Sequence, residues 1–281
     1  MAAPPLPTSC AQPHRSALMR RVRPFHLQRV QAALLQSDTL KRRGTCSSVT
    51  HVGALIAFDL DGVLYTSEPF LGDAYREAIA RVNARRPGSV PRVPKTREIL
   101  DHVGWPLPTI LARLFPGIDA PAVELLYSET QQVICARVAR REGILFPGVV
   151  ETLVRLQRAG HCLAVASNGQ LPYVETVLAT YDIARYFMAL VSVDGGGSVR
   201  SKADILRAYL RRERRSPQQL IMVGDRASDV EAAQAVGCRF VGCDYGHGNR
   251  DEIEGRGPVV PSFDALPPVV VAILSNCTAA G

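Results

Sequence analysis

The sequence predicts an α/β fold: a doubly wound, mostly parallel sheet with a small α-helical domain inserted after its first strand. Two observations support this prediction. From Ala54 onward, short apolar runs alternate with helical patterns, and this alternation is typical of parallel strands joined by right-handed crossovers. One long stretch behind the first apolar run contains helical patterns alone, which indicates a separate cap domain.

The predicted sheet is built from short apolar runs. The first, Ala54 to Phe58, ends abruptly at Asp59, as expected of a buried parallel strand. The other runs are Cys162 to Ala166, Ala189 to Val193, Leu220 to Val223 and Arg239 to Gly242.

Helical patterns separate these strands. Gly160 follows the first of them and Gly237 the last, and a glycine just past the final helical residue is a common C-terminal signal. The predicted core helices are Val149 to Ala159, Tyr173 to Ala179, Ala203 to Arg212 and Ser228 to Val236.

The predicted cap lies between the first strand and Phe146-Pro-Gly148. Its helical patterns are Ala74 to Ala84, Thr109 to Phe115 and Ala120 to Arg141. We therefore expect residues 51–67 and 145–281 to form the α/β core and residues 68–144 to form the cap.

Residues 1–50 differ in composition from the rest of the chain. They hold eight of the 33 basic residues and one of the 26 acidic residues, so they account for the whole net charge of +7. The remaining chain has no bulk attraction to nucleic acid, and no nucleic-acid partner is expected. This basic extension, rich in Pro, Ser, Arg and Ala, is expected to be disordered. An organelle-targeting peptide is the alternative.

Two further classes of protein are disfavoured. No apolar run is long enough to span a membrane, so no membrane partner is expected. The seven cysteines are irregularly spaced and include no CxxC pair. A structural zinc site is therefore poorly supported, and reduced thiols in the cytoplasm are the expectation.

The strongest chemical signal is the segment from Phe58 to Leu64, Phe-Asp-Leu-Asp-Gly-Val-Leu. Asp59 and Asp61 follow an apolar strand at its carboxyl end, where open α/β sheets bind ligands. Gly62 permits a tight turn behind them. One carboxylate can act as a nucleophile while the other exchanges protons. An acidic turn after a strand is common by itself, so the residues at the other strand ends are needed to identify a functional site.

Ser167 and Asn168 follow a second strand, and both can donate hydrogen bonds to a phosphoryl oxygen. Lys202 opens a helix after the glycine-rich loop Asp194 to Gly197, where its charge can offset that of a phosphate. Taken singly, a helix N-cap and an exposed lysine would explain these residues more simply.

Asp225 and Asp229 follow a third strand in the segment Gly224-Asp-Arg-Ala-Ser-Asp229. Carboxylate oxygens are the ligands that Mg²⁺ prefers. An acidic helix start is the simpler explanation of this pair alone.

The four elements occur in the order carboxylate pair, hydroxyl, lysine, carboxylate pair. This order resembles the haloacid dehalogenase-like hydrolases, whose DxDGxL, (S/T)N, K and GDxxxD motifs all appear between Ala54 and Asp264. The resemblance implies a Rossmann-like core. The helical insert is similar to the small cap of the phosphoglycolate-phosphatase-like branch.

The resemblance also implies roles for these residues. Asp59 would attack phosphorus to form an aspartyl-phosphate, and Asp61 would protonate the leaving oxygen and then activate water. The implied phosphate-binding residues are Ser167, Asn168 and Lys202. The implied ligands of Mg²⁺, the expected cofactor, are Asp59, Asp61 through its backbone carbonyl, Asp225, and Asp229 directly or through a neighbour.

The expected function is hydrolysis of a small phosphorylated substrate: phosphoglycolate-like, a sugar phosphate or a nucleotide. A phosphomutase, which shields the aspartyl-phosphate from water, is one alternative, and a non-catalytic regulatory protein that retains the fold is another. A haloacid dehalogenase is disfavoured because that branch usually lacks the second aspartate and needs no metal.

Some features leave the substrate open. Thr66-Ser67 stands where many members of the branch have Asp-Ser, and Ala203 follows Lys202 where proline is frequent. The segment His102 to Leu107 is a candidate specificity loop, although its Trp105 is equally well explained as a packing residue. The sequence does not distinguish a monomer from a homodimer.

Overall fold

The computed structural model describes residues 53–188, 190–191 and 199–278. The strands are β1 (Leu55–Phe58), β2 (Tyr65–Thr66), β3 (Ile144–Leu145), β4 (Cys162–Val165), β5 (Leu220–Gly224), β6 (Arg239–Cys243) and β7 (Val259–Val260). The helices are α1 (Glu68–Arg85), α2 (Thr96–Leu100), α3 (Leu107–Leu114), α4 (Ala120–Ala139), α5 (Val149–Arg158), α6 (Leu171–Thr180), α7 (Lys202–Glu213), α8 (Ala227–Val236), α9 (Arg250–Ile253) and α10 (Leu266–Thr278).

A five-stranded sheet forms the centre of the molecule, in the order β4-β1-β5-β6-β7. Each neighbouring pair is parallel. β1 is paired on both sides, so the residues that follow it lie in the interior of the sheet's carboxyl edge.

The burial of β1 explains its continuous apolar sequence. Ile56 and Phe58 belong to one hydrophobic cluster, and Leu55 and Ala57 belong to the other. All four are fully buried, because helices cover both faces of the sheet. A strand buried on both faces needs apolar residues at every position, and an alternating pattern would expose polar groups to the core.

Helices α1 to α4 form an insert between β2 and β3. These two short strands pair antiparallel, with Tyr65 opposite Leu145, so the chain leaves and re-enters the core at one place. α1 packs along α4, and Ala74, Ala78 and Leu126 are fully buried in the insert. Residues 67–143 contain no strand.

The predicted fold class is confirmed. The strands predicted at Ala54 to Phe58, Cys162 to Ala166, Leu220 to Val223 and Arg239 to Gly242 and all seven predicted helices are present. Their ends lie within about two residues of the prediction, except that α1 begins at Glu68 and not at Ala74. Gly160 and Gly237 have the left-handed φ angles of +85° and +75° expected past a helix end.

Other predictions fall outside the described residues. Of the predicted strand Ala189 to Val193, only Leu190 and Val191 are described, and neither is in a strand. The loop Asp194 to Gly197 and the extension 1–50 also lie outside. The domain boundaries 51–67, 68–144 and 145–281 remain predictions. Among the described helices, none has the length and apolarity that a bilayer crossing requires.

Candidate active site

The predicted site residues meet at the carboxyl edge of the sheet. Asp59 directly follows β1, Asp225 directly follows β5, and Ser167 lies two residues beyond β4. Lys202 begins α7. Because β4, β1 and β5 are adjacent parallel strands, their carboxyl ends lie side by side, and the chain folds these distant residues into one place.

A cluster of three aspartates forms the floor of the site. Carboxylate oxygens of Asp59, Asp225 and Asp229 all lie within 4.8 Å of one another, and all three residues are buried. The side-chain oxygens of Asp61 are not part of this cluster. The family resemblance implies that Asp61 binds the metal through its backbone carbonyl. The arrangement can hold a metal ion that prefers oxygen ligands.

Asp225 is anchored through one oxygen only. Its Oδ2 accepts hydrogen bonds from the backbone N–H groups of His247, at 2.7 Å, and Gly248, at 3.0 Å. Its Oδ1 is buried and has no hydrogen-bond partner. An ionised oxygen in this situation is costly unless a cation or a ligand meets it.

Asp229 is satisfied through both oxygens. Its Oδ2 accepts hydrogen bonds from the backbone N–H groups of Asp225, at 3.1 Å, and Arg226, at 3.0 Å. Its Oδ1 forms an ion pair with Lys202. Asp229 therefore fixes the turn that presents Asp225 and holds the lysine in place.

Lys202 is the cation of the buried site. Its ammonium lies 3.0 Å from Asp59 Oδ2 and also contacts Asp229. Burial alone would lower its pKa, but the charges of Asp229 and Asp59 raise the pKa above its ordinary value. Lys202 is therefore ionised at neutral pH, and it restrains the carboxylate of Asp59.

The single positive charge of Lys202 does not balance the negative charges of the three clustered carboxylates. Burial raises the pKa of Asp59 to about 7 despite the opposing effect of Lys202. Burial, followed by the charge of Asp229, likewise raises the pKa of Asp225 to about 7. A divalent cation among these oxygens would favour their ionised forms.

Asp61 lies apart from the cluster and lines a cavity above it. The hydroxyl of Tyr173, in α6, donates a hydrogen bond to Asp61 Oδ1 at 2.5 Å. Burial raises the pKa of Asp61 to about 7, and the hydrogen bond from Tyr173 opposes that rise. A carboxyl group of this kind can give up and take back a proton near neutral pH.

Gly62 makes the turn after Asp61, as the sequence predicts. Its φ is +85°, and a Cβ at this position would lie 2.2 Å from Asp225 Oδ2. A side chain at residue 62 would therefore be strained and would displace a carboxylate of the cluster.

Ser167 and Asn168 have different surroundings. Ser167 is buried beside Asp59 in the cavity lining, and its Oγ accepts a hydrogen bond from the Gly169 N–H at 3.0 Å. Its own hydroxyl proton is available to a ligand. The amide of Asn168 donates to the backbone carbonyl of Gly104 at 2.9 Å, so Asn168 joins the core to the helical insert.

The helical insert supplies the far wall of the cavity, which has a volume of about 100 Å³. Val103, Gly104, Trp105 and Leu107, from the predicted specificity loop, all line it. Trp105 is about one-third exposed, and the guanidinium of Arg113 lies 4.5 Å from the centre of its ring.

Several site residues were missed in the sequence. The sequence places Tyr173 only in a helix and indicates no role for Arg226, His247 or Gly248. Arg226 donates to the backbone carbonyls of Leu100, at 2.7 Å, and Asp101, at 3.3 Å. These contacts join residues far apart in the chain, and no local spacing identifies them.

Comparisons with known proteins agree with this geometry. A family model described as haloacid dehalogenase-like hydrolase matches residues 54–237. The phosphoglycolate phosphatase of Vibrio cholerae serotype O1 is 30% identical over 221 residues, which cover 75% of this chain and 92% of that protein.

Solved structures share the fold. A predicted phosphoglycolate phosphatase from Haemophilus somnus 129PT has a TM-score of 0.68 and 21% identity, covering 79% of this chain and 99% of that one. A predicted phosphatase from Clostridium acetobutylicum has a TM-score of 0.66 and 24% identity, with the same coverage.

Proposed function

Because the chain belongs to the haloacid dehalogenase-like hydrolases and is a phosphatase of that family, we propose that it hydrolyses a small phosphomonoester with Mg²⁺ through an aspartyl-phosphate on Asp59. The main support is the position of Asp59 at the floor of a cavity. There it contacts a buried lysine and lies among carboxylates that can hold a cation.

The donor set fits Mg²⁺. The clustered groups are carboxylates, Asp225 Oδ1 has no other partner, and Lys202 is the one described cation that contacts the cluster. Asp59, Asp225 and the backbone carbonyl of Asp61 would hold the ion, with Asp229 positioning Asp225. When bound, Mg²⁺ would offset the negative charge of the phosphoryl oxygens and of the cluster.

The residues of the chain divide the reaction among them. Asp59 attacks phosphorus, and Asp61 gives its proton to the leaving oxygen as that bond breaks. Asp61 then removes a proton from the water that hydrolyses the aspartyl-phosphate, which returns Asp59 and releases phosphate. Lys202 and the Ser167 hydroxyl bind the phosphoryl oxygens throughout.

The substrate class is supported by the relatives and by the cavity. Phosphoglycolate phosphatases, as those relatives are named, act on a small phosphomonoester, and the cavity beside Asp59 is itself small. Phosphoglycolate-like compounds, sugar phosphates and nucleotides remain the candidate classes, and each should be assayed beside simple uncharged phosphomonoesters.

The test is release of inorganic phosphate from p-nitrophenyl phosphate by the full chain, with Mg²⁺ and with excess chelator. We expect hydrolysis that chelation abolishes. A phosphomutase would instead retain the phosphoryl group in a phosphorylated product. Metal-independent hydrolysis would contradict the assigned role of Mg²⁺.

The matched variant is Asp59→Asn, which removes the nucleophilic charge and keeps the side-chain shape. We expect kcat to fall about a thousandfold or more, with the circular dichroism spectrum unchanged. Near-normal activity in a carefully purified Asp59→Asn protein would exclude the aspartyl-phosphate mechanism.

A further inference from the structure

Among the described residues, the cavity wall that the helical insert contributes is uncharged. Side chains from the helical insert that line the cavity are mainly apolar and mostly buried. Examples are Leu71, Ile99, Val103, Ile110 and Ile134. Among the described residues that line the cavity, the charged ones are Asp59 and Asp61, and both belong to the catalytic edge.

Three described cations near the cavity do not line it. Lys202 is paired with Asp59 and Asp229. Arg226 is buried and donates to the carbonyls of Leu100 and Asp101. Its Nε has no hydrogen-bond partner, but the residue does not line the cavity. Arg113 lies over the ring of Trp105 and does not line the cavity either.

A second anionic group on the substrate would therefore be poorly accommodated. A carboxylate or a second phosphate in this cavity would lose hydration without gaining a cationic partner from the described residues, which is unfavourable. An apolar group would gain from the same desolvation. The volume of about 100 Å³ is on the scale of the roughly 150 Å³ engineered cavity that holds benzene.

We propose that the preferred substrate is a phosphomonoester of a small, uncharged and largely apolar alcohol. This inference rests on the proposed phosphatase function. It separates the chain from the activity in its relatives' name, because glycolate itself has a carboxylate beside the carbon that bears the phosphate.

Gln131 and Gln170 are the polar border of this wall. The amide of Gln131 donates to Gln170 at 2.8 Å, and both residues line the cavity. Because both are neutral and half-buried, they can hydrogen-bond to one hydroxyl or carbonyl of a substrate, but they supply no charge.

The experiment compares benzyl phosphate with 4-carboxybenzyl phosphate, using the full chain and saturating Mg²⁺. The two esters share the same leaving oxygen and ring, and they differ in a remote carboxylate. We expect kcat/KM to be at least about tenfold higher for the uncharged ester, because the carboxylate is left without a partner. n-Butyl phosphate should likewise exceed phosphoglycolate.

Variants of Gln131 test whether the wall causes the preference. Gln131→Arg places a cation at the border, and we expect it to reduce the ratio between the two benzyl esters at least about tenfold. Gln131→Leu is the control, because it also breaks the contact with Gln170 but adds no charge, and it should retain the preference. Thermal unfolding of both variants checks that the fold is kept.

The outcomes are distinguishable. Equal hydrolysis of the two benzyl esters, or a preference for 4-carboxybenzyl phosphate or phosphoglycolate over its uncharged counterpart, would overturn the substrate inference and leave the phosphatase function standing. Absence of Mg²⁺-dependent phosphate release from any of these esters and from p-nitrophenyl phosphate would overturn the proposed function, and this inference with it.

Discussion

Asp225 and Asp229 are both buried at the same turn, but their oxygens have different partners. Asp225 keeps Oδ1 free of hydrogen bonds. Asp229 uses Oδ2 for two backbone N–H groups and Oδ1 for Lys202. The free oxygen favours Asp225 as a direct metal ligand, whereas Asp229 acts by orienting its neighbours.

This difference predicts the metal dependence of two matched variants. Asp225→Asn should raise the Mg²⁺ concentration for half-maximal activity at least about tenfold more than Asp229→Asn does. Asp229→Asn should instead lower the thermal stability, because it leaves the Lys202 charge short of a partner. Titration of phosphatase activity with Mg²⁺ measures the first effect and calorimetry the second. An equal or larger Mg²⁺ shift in Asp229→Asn would reverse the assignment.

Tyr173 is a positioning residue for Asp61. Its hydroxyl fixes one oxygen of the carboxyl group, while its ring lines the cavity. Tyr173→Phe keeps the ring, so we expect KM to stay within about twofold. We expect kcat to fall about tenfold, because Asp61 loses the hydrogen bond that positions it, and this is a part of the rate enhancement that a well-placed general acid contributes. Steady-state kinetics on benzyl phosphate separates the two constants. A change confined to KM would mean that Tyr173 only shapes the cavity.

The sequence identified residues at strand ends and missed residues that act through side-chain contacts. Asp59 and Asp225 could be predicted because parallel strands bring their carboxyl ends to one edge. Tyr173 could not, because its contact with Asp61 comes from a helix and not from the end of a strand. Within its helix, Tyr173 has the spacing of an ordinary packing residue.

At the scale of elements, the stretch between α2 and α3 joins the insert to the core. Arg226 donates to the carbonyls of Leu100 and Asp101, and Asn168 donates to the carbonyl of Gly104. Because this stretch also lines the cavity, its position determines the shape of the site. Its attachment depends on backbone carbonyls, which are common to every residue type and leave no trace in the sequence.

Gly104→Ala tests this attachment. The φ of Gly104 is +99°, and a Cβ there would lie 3.3 Å from Arg226 Cγ, so the substitution strains the backbone and presses on the contact. Gly117→Ala is the control, because its φ is +86° and a Cβ would meet nothing within 4 Å.

Both substitutions should lower the free energy of unfolding by about 1 kcal/mol through backbone strain. Only Gly104→Ala should also raise KM severalfold, because only that residue touches the attachment. Denaturant unfolding and steady-state kinetics measure the two effects. Unchanged KM in Gly104→Ala, or an equal rise in Gly117→Ala, would count against a role for this stretch in shaping the site.

Length decides which elements could be predicted. Helices α1 and α4 extend over 18 and 20 residues, and helix propensity summed over a window of that length is informative. The strands β2 and β3 have two residues each, too few for any period to appear. Their pairing across the insert is a consequence of the fold that no local pattern encodes.

At the scale of the whole molecule, charge and chemistry lie in different parts of the chain. The net charge of +7 arises from residues 1–50, whereas the earliest proposed site residue is Asp59. The buried carboxylates and Lys202 that form the proposed site all lie beyond this extension. We therefore predict that the basic extension is not required to neutralise the substrate phosphate.

Removal of the extension tests this separation. β1 begins at Leu55 and is already paired with β4 on one side and β5 on the other, so no strand from residues 1–50 is needed beside it. A chain that begins near Ser48 should fold and keep its kcat. Its net charge should be close to zero, so it should bind weakly to an ion-exchange column. It should also lose any weak, salt-sensitive binding to polyanions, because the excess positive charge is gone. Circular dichroism checks the folding, and phosphate release measures kcat and KM.

The competing hypothesis is that the basic segment folds over the insert and recruits an anionic substrate. A large rise in KM on truncation, or failure of the shortened chain to fold, would favour that hypothesis.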